Sequence, residues 1–321
     1  MYNQKRRTRR RKPRIIRILL LILLVLAISP VFSHLVRSSS QQLDASQTSR
    51  VKNDFDATEA ITLDGEIHSA HAILVDLASN KVLFQKASAE RIFPASMTKI
   101  MTAIVAIENM PNLEDSIVLK EDMFAELNTQ NASMAGFKPN EQVKLIDLLY
   151  GTMLPSGAEA SIGIAEHVFG SQQVFVAAMN QKAKELGMKE THYTNVTGLH
   201  DENHYTTAKD MAILLQYAWA NDTFKQIFTT KRHSTTPTNL HTTGITFVST
   251  MFQKMRTSEF AGGEILGGKT GYTAEAGLCL ASLAVKDAKS YILVTAEAGG
   301  NPKSEQYNIT DAFRIYGEYL R

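Results

Sequence analysis

A serine and a lysine three residues apart, Ser96 and Lys99, stand where an apolar helical pattern begins, in Phe93-Pro94-Ala95-Ser96-Met97-Thr98-Lys99-Ile100-Met101-Thr102. A serine at a helix start has its amide and hydroxyl at the positive end of the helix dipole. A lysine one turn further on shares that face and can reach the hydroxyl. If that lysine is held neutral, it can take the serine proton and create a nucleophile. Alone, the same spacing also describes a capped surface helix, so the rest of the chain has to decide. Two further segments carry matching chemistry. Leu154-Pro155-Ser156-Gly157-Ala158-Glu159-Ala160 lies between two expected helices, and Gly267-Gly268-Lys269-Thr270-Gly271-Tyr272-Thr273 precedes a strong strand. Together they supply a second serine and a second lysine, a cation that would push Lys99 towards its neutral form.

The elements needed to position these groups can be read from periodicity. His71–Asp76 and Lys81–Phe84 read as two strands joined at Ser79-Asn80. Helical patterns cover 96–109, 143–153, 159–169, 172–187 and 207–220, with apolar spacing such as Phe175, Met179, Ala183 and Leu186. After Lys231 the chain turns β-like; strands 277–285 and 290–297 precede a last helix at about 303–320. Strands at both ends with helices between them imply an α+β fold, an antiparallel sheet built from both ends of the domain with an inserted helical lobe. The cleft between sheet and lobe is the natural ligand site.

Ahead of this domain, residues 1–17 hold nine basic residues and no acidic one, although the whole chain carries a formal net charge of only +2. The remainder is therefore net acidic, which argues against a nucleic-acid-binding surface. The basic arm runs into an apolar stretch at 18–36, read as a signal or, preferably, an uncleaved membrane anchor under the positive-inside rule. Residues 37–65, rich in Ser, Gln, Asp and Thr, read as a flexible linker, and 66–321 as the catalytic domain. That order places the domain outside the cytoplasm. The single cysteine, Cys279, cannot form an internal disulfide and sits in a strand-like apolar run, as a buried structural thiol would.

The trio S-x-x-K, serine loop and K-T-G, in this order, is the set carried by β-lactamases and penicillin-binding proteins. With Pro94-Ala95 and Met101-Thr102 as flanks, and with Ala276-Gly277-Leu278-Cys279-Leu280, Asn195-Val196-Thr197-Gly198-Leu199 and His204-Tyr205-Thr206-Thr207-Ala208-Lys209-Asp210, the chain resembles the D-alanyl-D-alanine carboxypeptidases. These are the low-molecular-weight penicillin-binding proteins, and the resemblance covers about 68–321. It implies a β-lactamase/transpeptidase-like fold and removal of the terminal D-alanine from peptidoglycan stem pentapeptides through a Ser96 acyl-enzyme. It implies Lys99 as base, Ser156 as proton relay to the leaving amine, and Lys269 and Thr270 as the site for the substrate carboxylate. Gly271 would allow close backbone approach, and the amides of Ser96 and Tyr272 would form the oxyanion hole. The partners implied are the stem peptide and acylating β-lactams, with no cofactor and no metal. Family members often have a further C-terminal β domain and membrane helix, for which this chain ends too early. The N-terminal segment would then be its attachment to the membrane.

One position departs from the family pattern. The serine loop usually reads S-x-N, whereas here Ala158 holds the third place, followed by Glu159, which on a turn is expected to point elsewhere and not to replace the amide. Loss of such a polar contact would cost on the order of 1–3 kcal/mol, or tenfold to a hundredfold in rate. A weakly active or inactive penicillin binder is therefore an alternative, as are a serine β-lactamase and a D,D-endopeptidase. For the β-lactamase, Glu126-Leu127-Asn128 resembles a deacylation element but precedes the Ser156 loop instead of following it. Gly263 to Thr270 also fits G-x-x-x-x-G-K-T, yet lacks the strand before and helix after that a phosphate loop needs. His200 and His204 have a metal-like spacing in what reads as a loop, so a structural role is expected there.

Overall fold

The computed structural model describes residues 55–58, 60–62 and 67–320. The basic arm and the apolar segment 18–36 lie outside the described residues. Among the described residues, no helix is long and apolar enough to cross a membrane. The fold reaches back into the stretch expected as linker: Phe55 is buried, and Ile61–Thr62 pairs in parallel with Lys81–Lys86. Phe55 is an isolated aromatic in a polar stretch, and its burial fixes the chain against the sheet.

The seven-stranded sheet runs in the order Ile61–Thr62, Lys81–Lys86, His71–Asp76, Lys289–Ala298, Gly277–Lys286, Gly263–Thr273, Glu259–Phe260. Apart from the first pair, every neighbour is antiparallel. The two ends of the domain meet where His71–Asp76 pairs with Lys289–Ala298. Both strands are almost wholly buried and apolar, as a sheet covered on both faces requires. Helix Tyr307–Tyr319 covers one face, its Ile309, Ala312, Ile315 and Tyr316 packing with Leu74, Phe84, Leu280, Ala284 and Leu293.

The helical lobe is built around Lys99–Asn109, whose first eight residues are all buried. A helix apolar all round belongs at the centre of a lobe, and Leu145–Met153, Ala158–Phe169, Gln172–Glu185, Ala208–Trp219 and Asp222–Thr229 pack around it. Local chemistry sets their ends. Ser171 and Thr207 cap their helices by accepting from the amides of Val174 and Asp210, and Gly170 closes Ala158–Phe169 at φ +79°.

The long strand Gly263–Thr273, the helices Asp122–Thr129, Asp222–Thr229 and Thr250–Lys254, and short strands such as Ser116–Val118 and Gln142–Lys144 are elements that periodicity does not reveal. Four glycines hide the strand, since nothing in Gly263-Glu264-Ile265-Leu266-Gly267-Gly268 has strand propensity beyond two residues. They are there because neighbours rest on bare backbone: a side chain at Gly267 would meet the carbonyl of Phe228, and one at Gly268 the sulfur of Met251.

Candidate active site

Ser96 lies in a 3-10 turn, Ala95–Thr98, that leads directly into the central helix at Lys99. The turn opens on Ala95 at φ +45°, a conformation an alanine keeps only when its surroundings impose it. The imposing surface is the loop 194–204. Gly198, at φ +81°, lies so close that a Cβ there would stand 1.9 Å from the Ala95 carbonyl oxygen. Its neighbours are held by Asn195, whose Oδ1 accepts from the amides of Thr197 and Gly198. Thr102 Oγ1 donates to the Val196 carbonyl at 2.7 Å.

His204 completes this clamp. Its Nδ1 accepts from the Thr194 amide at 3.1 Å, which places the ring proton on Nε2, 2.8 Å from Thr98 Oγ1. Thr98 in turn donates to the Ala95 carbonyl at 2.8 Å. A chain of uncharged hydrogen bonds thus runs from the 194–204 loop to the residue before Ser96. Burial pushes His204 down to about 4, so the imidazole is neutral. Both ring nitrogens are engaged within the protein, and His200 lies apart, edge-on to Phe93 and 3.8 Å from Glu275.

Lys99 Nζ lies 3.2 Å from Ser96 Oγ and donates to the Thr197 carbonyl at 2.6 Å. The side chain is 2% exposed, and burial pushes the ammonium down to about 7. Burial, not the second cation anticipated from sequence, is the leading cause. A lysine in this condition can be neutral near pH 7 while aimed at a serine hydroxyl.

The second pair stands opposite. Ser156, at φ +67°, follows helix Leu145–Met153 and precedes helix Ala158–Phe169. Its Oγ accepts from Lys269 Nζ at 2.9 Å, and Lys269 also donates to the Thr270 carbonyl. Lys269 is fully buried; burial first, and the charge of Lys99 second, hold it well below the usual lysine range. Its ammonium is therefore spent on Ser156 and is not presented to solvent. The hydroxyl of Thr270 is 2.7 Å from that of Thr250, a residue no sequence signal marks. Tyr272 is exposed at the end of the strand, and Gly271 faces the nucleophile turn. A Cβ at Gly271 would lie 2.9 Å from the Pro94 carbonyl and 3.2 Å from the Ser96 amide.

Ala158 and Glu159 are both buried, and Glu159 is turned onto the 135–137 segment, away from the place of the missing amide as expected. Its Oε1 accepts from the amides of Ala135, Gly136 and Phe137 at 2.7, 2.9 and 3.3 Å, while Oε2 is buried with no hydrogen-bond partner. An acid in a first helical turn ordinarily reads as a partner of the helix dipole, which is why the residue gave no stronger signal. Cys279 is fully buried opposite Gly271 in the sheet, its thiol pushed up to about 12 by burial, and is inert.

Two serines, each hydrogen-bonded to a buried lysine, one at the start of the central helix and one tied to the Gly263–Thr273 strand, are the equipment of serine–lysine acyl transfer. The family model for peptidase family S11, D-alanyl-D-alanine carboxypeptidase, matches residues 55–300, and the chain belongs to that family. It is 37% identical over 244 residues to the D-alanyl-D-alanine carboxypeptidase DacF of Bacillus subtilis, covering 74% of this chain and 59% of that protein. It is 32% identical to the D-alanyl-D-alanine endopeptidase of Escherichia coli, covering 73% of each. The crystal structure of the Streptomyces K15 DD-transpeptidase superimposes with a TM-score of 0.70 at 26% identity, covering 79% of this chain and 98% of that one. The match thus spans a little over half of the Bacillus relative's length.

Proposed function

We propose that the protein is a serine-type D-Ala-D-Ala carboxypeptidase that removes the terminal D-alanine from peptidoglycan stem pentapeptides through an acyl-enzyme at Ser96. The observation that carries this reading is the pair of contacts Lys99–Ser96 and Lys269–Ser156 at 3.2 and 2.9 Å. Neutral Lys99 takes the hydroxyl proton as Ser96 Oγ bonds to the penultimate D-alanine carbonyl carbon. The negative charge that develops on the carbonyl oxygen falls to the amides of Ser96 and Tyr272, and the contact of Gly271 with the Ser96 amide favours that assignment. As the C–N bond breaks, the leaving amine receives a proton through Ser156, whose hydroxyl Lys269 orients. Water, deprotonated by Lys99, then cleaves the ester and returns Ser96.

The substrate carboxylate is assigned to the Lys269–Thr270 end of the site. Lys269 holds the Thr270 carbonyl and Ser156 from behind, and the Thr270 hydroxyl, supported by Thr250, supplies the direct contact. A β-lactam would acylate the same serine, and its tethered leaving group would prolong the adduct. The names of the relatives span carboxypeptidase, endopeptidase and transpeptidase, reactions that share one acyl-enzyme and differ in substrate and acceptor. The test is D-alanine release from a pentapeptide ending in D-Ala-D-Ala. Turnover in the wild type and none in Ser96→Ala is expected; release by Ser96→Ala would overturn the assignment.

The basic arm and the apolar run at 18–36 support a membrane-tethered domain working outside the cytoplasm. Fractionation of the full chain beside a variant lacking residues 1–36 tests it: the full chain should sediment with membranes.

A further inference from the structure

Thr250 opens the short helix Thr250–Lys254 and touches both walls of the site. Its hydroxyl lies 2.7 Å from that of Thr270 on the Gly263–Thr273 strand. Its amide donates at 3.0 Å to the carbonyl of Leu154, two residues before Ser156. The capping place of its helix belongs to Ser249, so the Thr250 hydroxyl is turned onto the strand and not back on its own helix. The chain holds Thr250 firmly from both sides. It arrives along a hairpin, Arg232–Ser234 paired with Thr246–Val248, that is tied down at two buried carboxylates. Asp147, in helix Leu145–Met153, accepts from the Thr236 amide and hydroxyl and meets His233 Nε2 at 2.8 Å. Glu141, just ahead of that helix, accepts from the Thr238 hydroxyl at 2.6 Å and meets His241 Nδ1 at 2.8 Å. On the other side of Thr250, Met251 is fully buried against Gly268. Satisfied buried polar groups of this kind rigidify the segment that carries them.

Between two hydroxyls at this distance lies one proton, and either oxygen can supply it. If Thr270 gives it, that side chain turns only lone pairs to the site, and a carboxylate, which only accepts, is repelled. If Thr250 gives it, Thr270 keeps its own proton for a ligand and, having accepted one bond, donates the other more strongly. Lys269 is buried and engaged with Ser156 and the Thr270 carbonyl, so this part of the strand meets a carboxylate with the Thr270 hydroxyl. We propose that Thr250 is a positioning residue for the substrate carboxylate: its hydroxyl donates to Thr270 Oγ1, which turns the Thr270 proton towards the ligand, and its amide keeps that donor at a fixed distance from the Ser156 turn. The inference rests on the reading of Thr270 as the carboxylate contact and of Ser96 as the nucleophile. Thr250 acts through Thr270 and does not itself touch the reacting atoms.

The test compares acylation by a penicillin with acylation by its methyl ester, the same ring system without the carboxylate charge. Second-order acylation rates are read by intact mass for the wild type, Thr250→Val, Thr250→Ser and Thr270→Val, with thermal unfolding alongside. Thr250→Val keeps the shape and removes the hydroxyl. Its rate with the free acid is expected to fall about tenfold while its rate with the ester changes little, so that the acid-over-ester preference shrinks about tenfold. Thr250→Ser, which keeps the hydroxyl, is expected to retain the preference. A purely structural Thr250 would slow both reagents alike, and an unchanged preference in Thr250→Val overturns the proposal. If that variant does not fold, Thr250→Ala, which adds no bulk, carries the same prediction. A preference absent from the wild type, or unchanged in Thr270→Val, would remove the carboxylate reading itself. That is a different result from a preference that Thr270→Val abolishes and Thr250→Val leaves intact.

Discussion

The two halves of the site are held by different kinds of force. Around Ser96 the clamp is made of neutral groups: carbonyls of Val196 and Thr197, the Asn195 side chain, the Thr98 hydroxyl and an uncharged His204. Around Ser156 it is made of titratable groups, Lys269 on the hydroxyl and Glu159 behind the turn, each pushed by burial towards its neutral form. A nucleophile has to be within reach of its base to a fraction of an ångström, and short neutral hydrogen bonds with close backbone packing provide that at any pH where they survive. A proton relay has to have the right protonation state, and burial of titratable groups provides that. The first half should therefore break on shape and the second should tune on protonation.

Shape is tested most severely by Gly198→Ala. With φ +81° and the Ala95 carbonyl 1.9 Å from the new Cβ, the loop or the turn has to move. A loss of about 3 kcal/mol in stability is expected, together with loss of β-lactam acylation, read by denaturant unfolding and intact mass. An acylating Gly198→Ala would show that the clamp is not needed. Gly271→Ala is milder, since its clash with the Pro94 carbonyl is at 2.9 Å. Acylation should slow by more than about tenfold, on the order of 1–3 kcal/mol, without unfolding of the domain.

The neutral clamp has a pH signature of its own. His204 is held near 4 against an ordinary value of 6.5, so between these values the unfolded chain binds a proton that the folded one refuses. Above pH 6.5 this costs nothing; as the pH falls towards 4 the cost grows to roughly 3 kcal/mol. A protonated ring would also point an N–H at the Thr194 amide. His204→Phe should be less stable at pH 7 by about 1–3 kcal/mol, yet lose less stability on acidification than the wild type. Thermal midpoints of both proteins from pH 4 to 7 give that comparison, and parallel slopes would remove His204 from the account.

The smallest effect is expected at the departure from the family pattern. Ala158 is 1% exposed, so an asparagine introduced there has little room to enter the cleft. Ala158→Asn should change D-alanine release by less than about tenfold. A hundredfold gain would mean that the missing amide limits turnover.

What could be read from the sequence divides along the same line. The buried strands Gly277–Lys286 and Lys289–Ala298 and the apolar helix after Ser96 announce themselves by composition, and S-x-x-K and K-T-G by spacing. The strand Gly263–Thr273 does not, because its glycines answer to neighbours from Phe228, Met251 and Pro94 that only the fold brings together. Thr250 and His204 meet their partners across 20 and 106 residues. Glu159 is expected to point away from the place of the missing amide, but the segment it points to, 135–137, cannot be read from spacing.

The central claim is that Ser96, activated by Lys99, is the nucleophile. It is tested most directly by intact-mass analysis of the soluble domain with a penicillin over time, beside Ser96→Ala and followed by peptide mapping. A single adduct on the peptide containing Ser96, persisting for minutes or longer and absent from Ser96→Ala, is the expected result. An adduct that forms equally on Ser96→Ala, or none on the wild type, would contradict it.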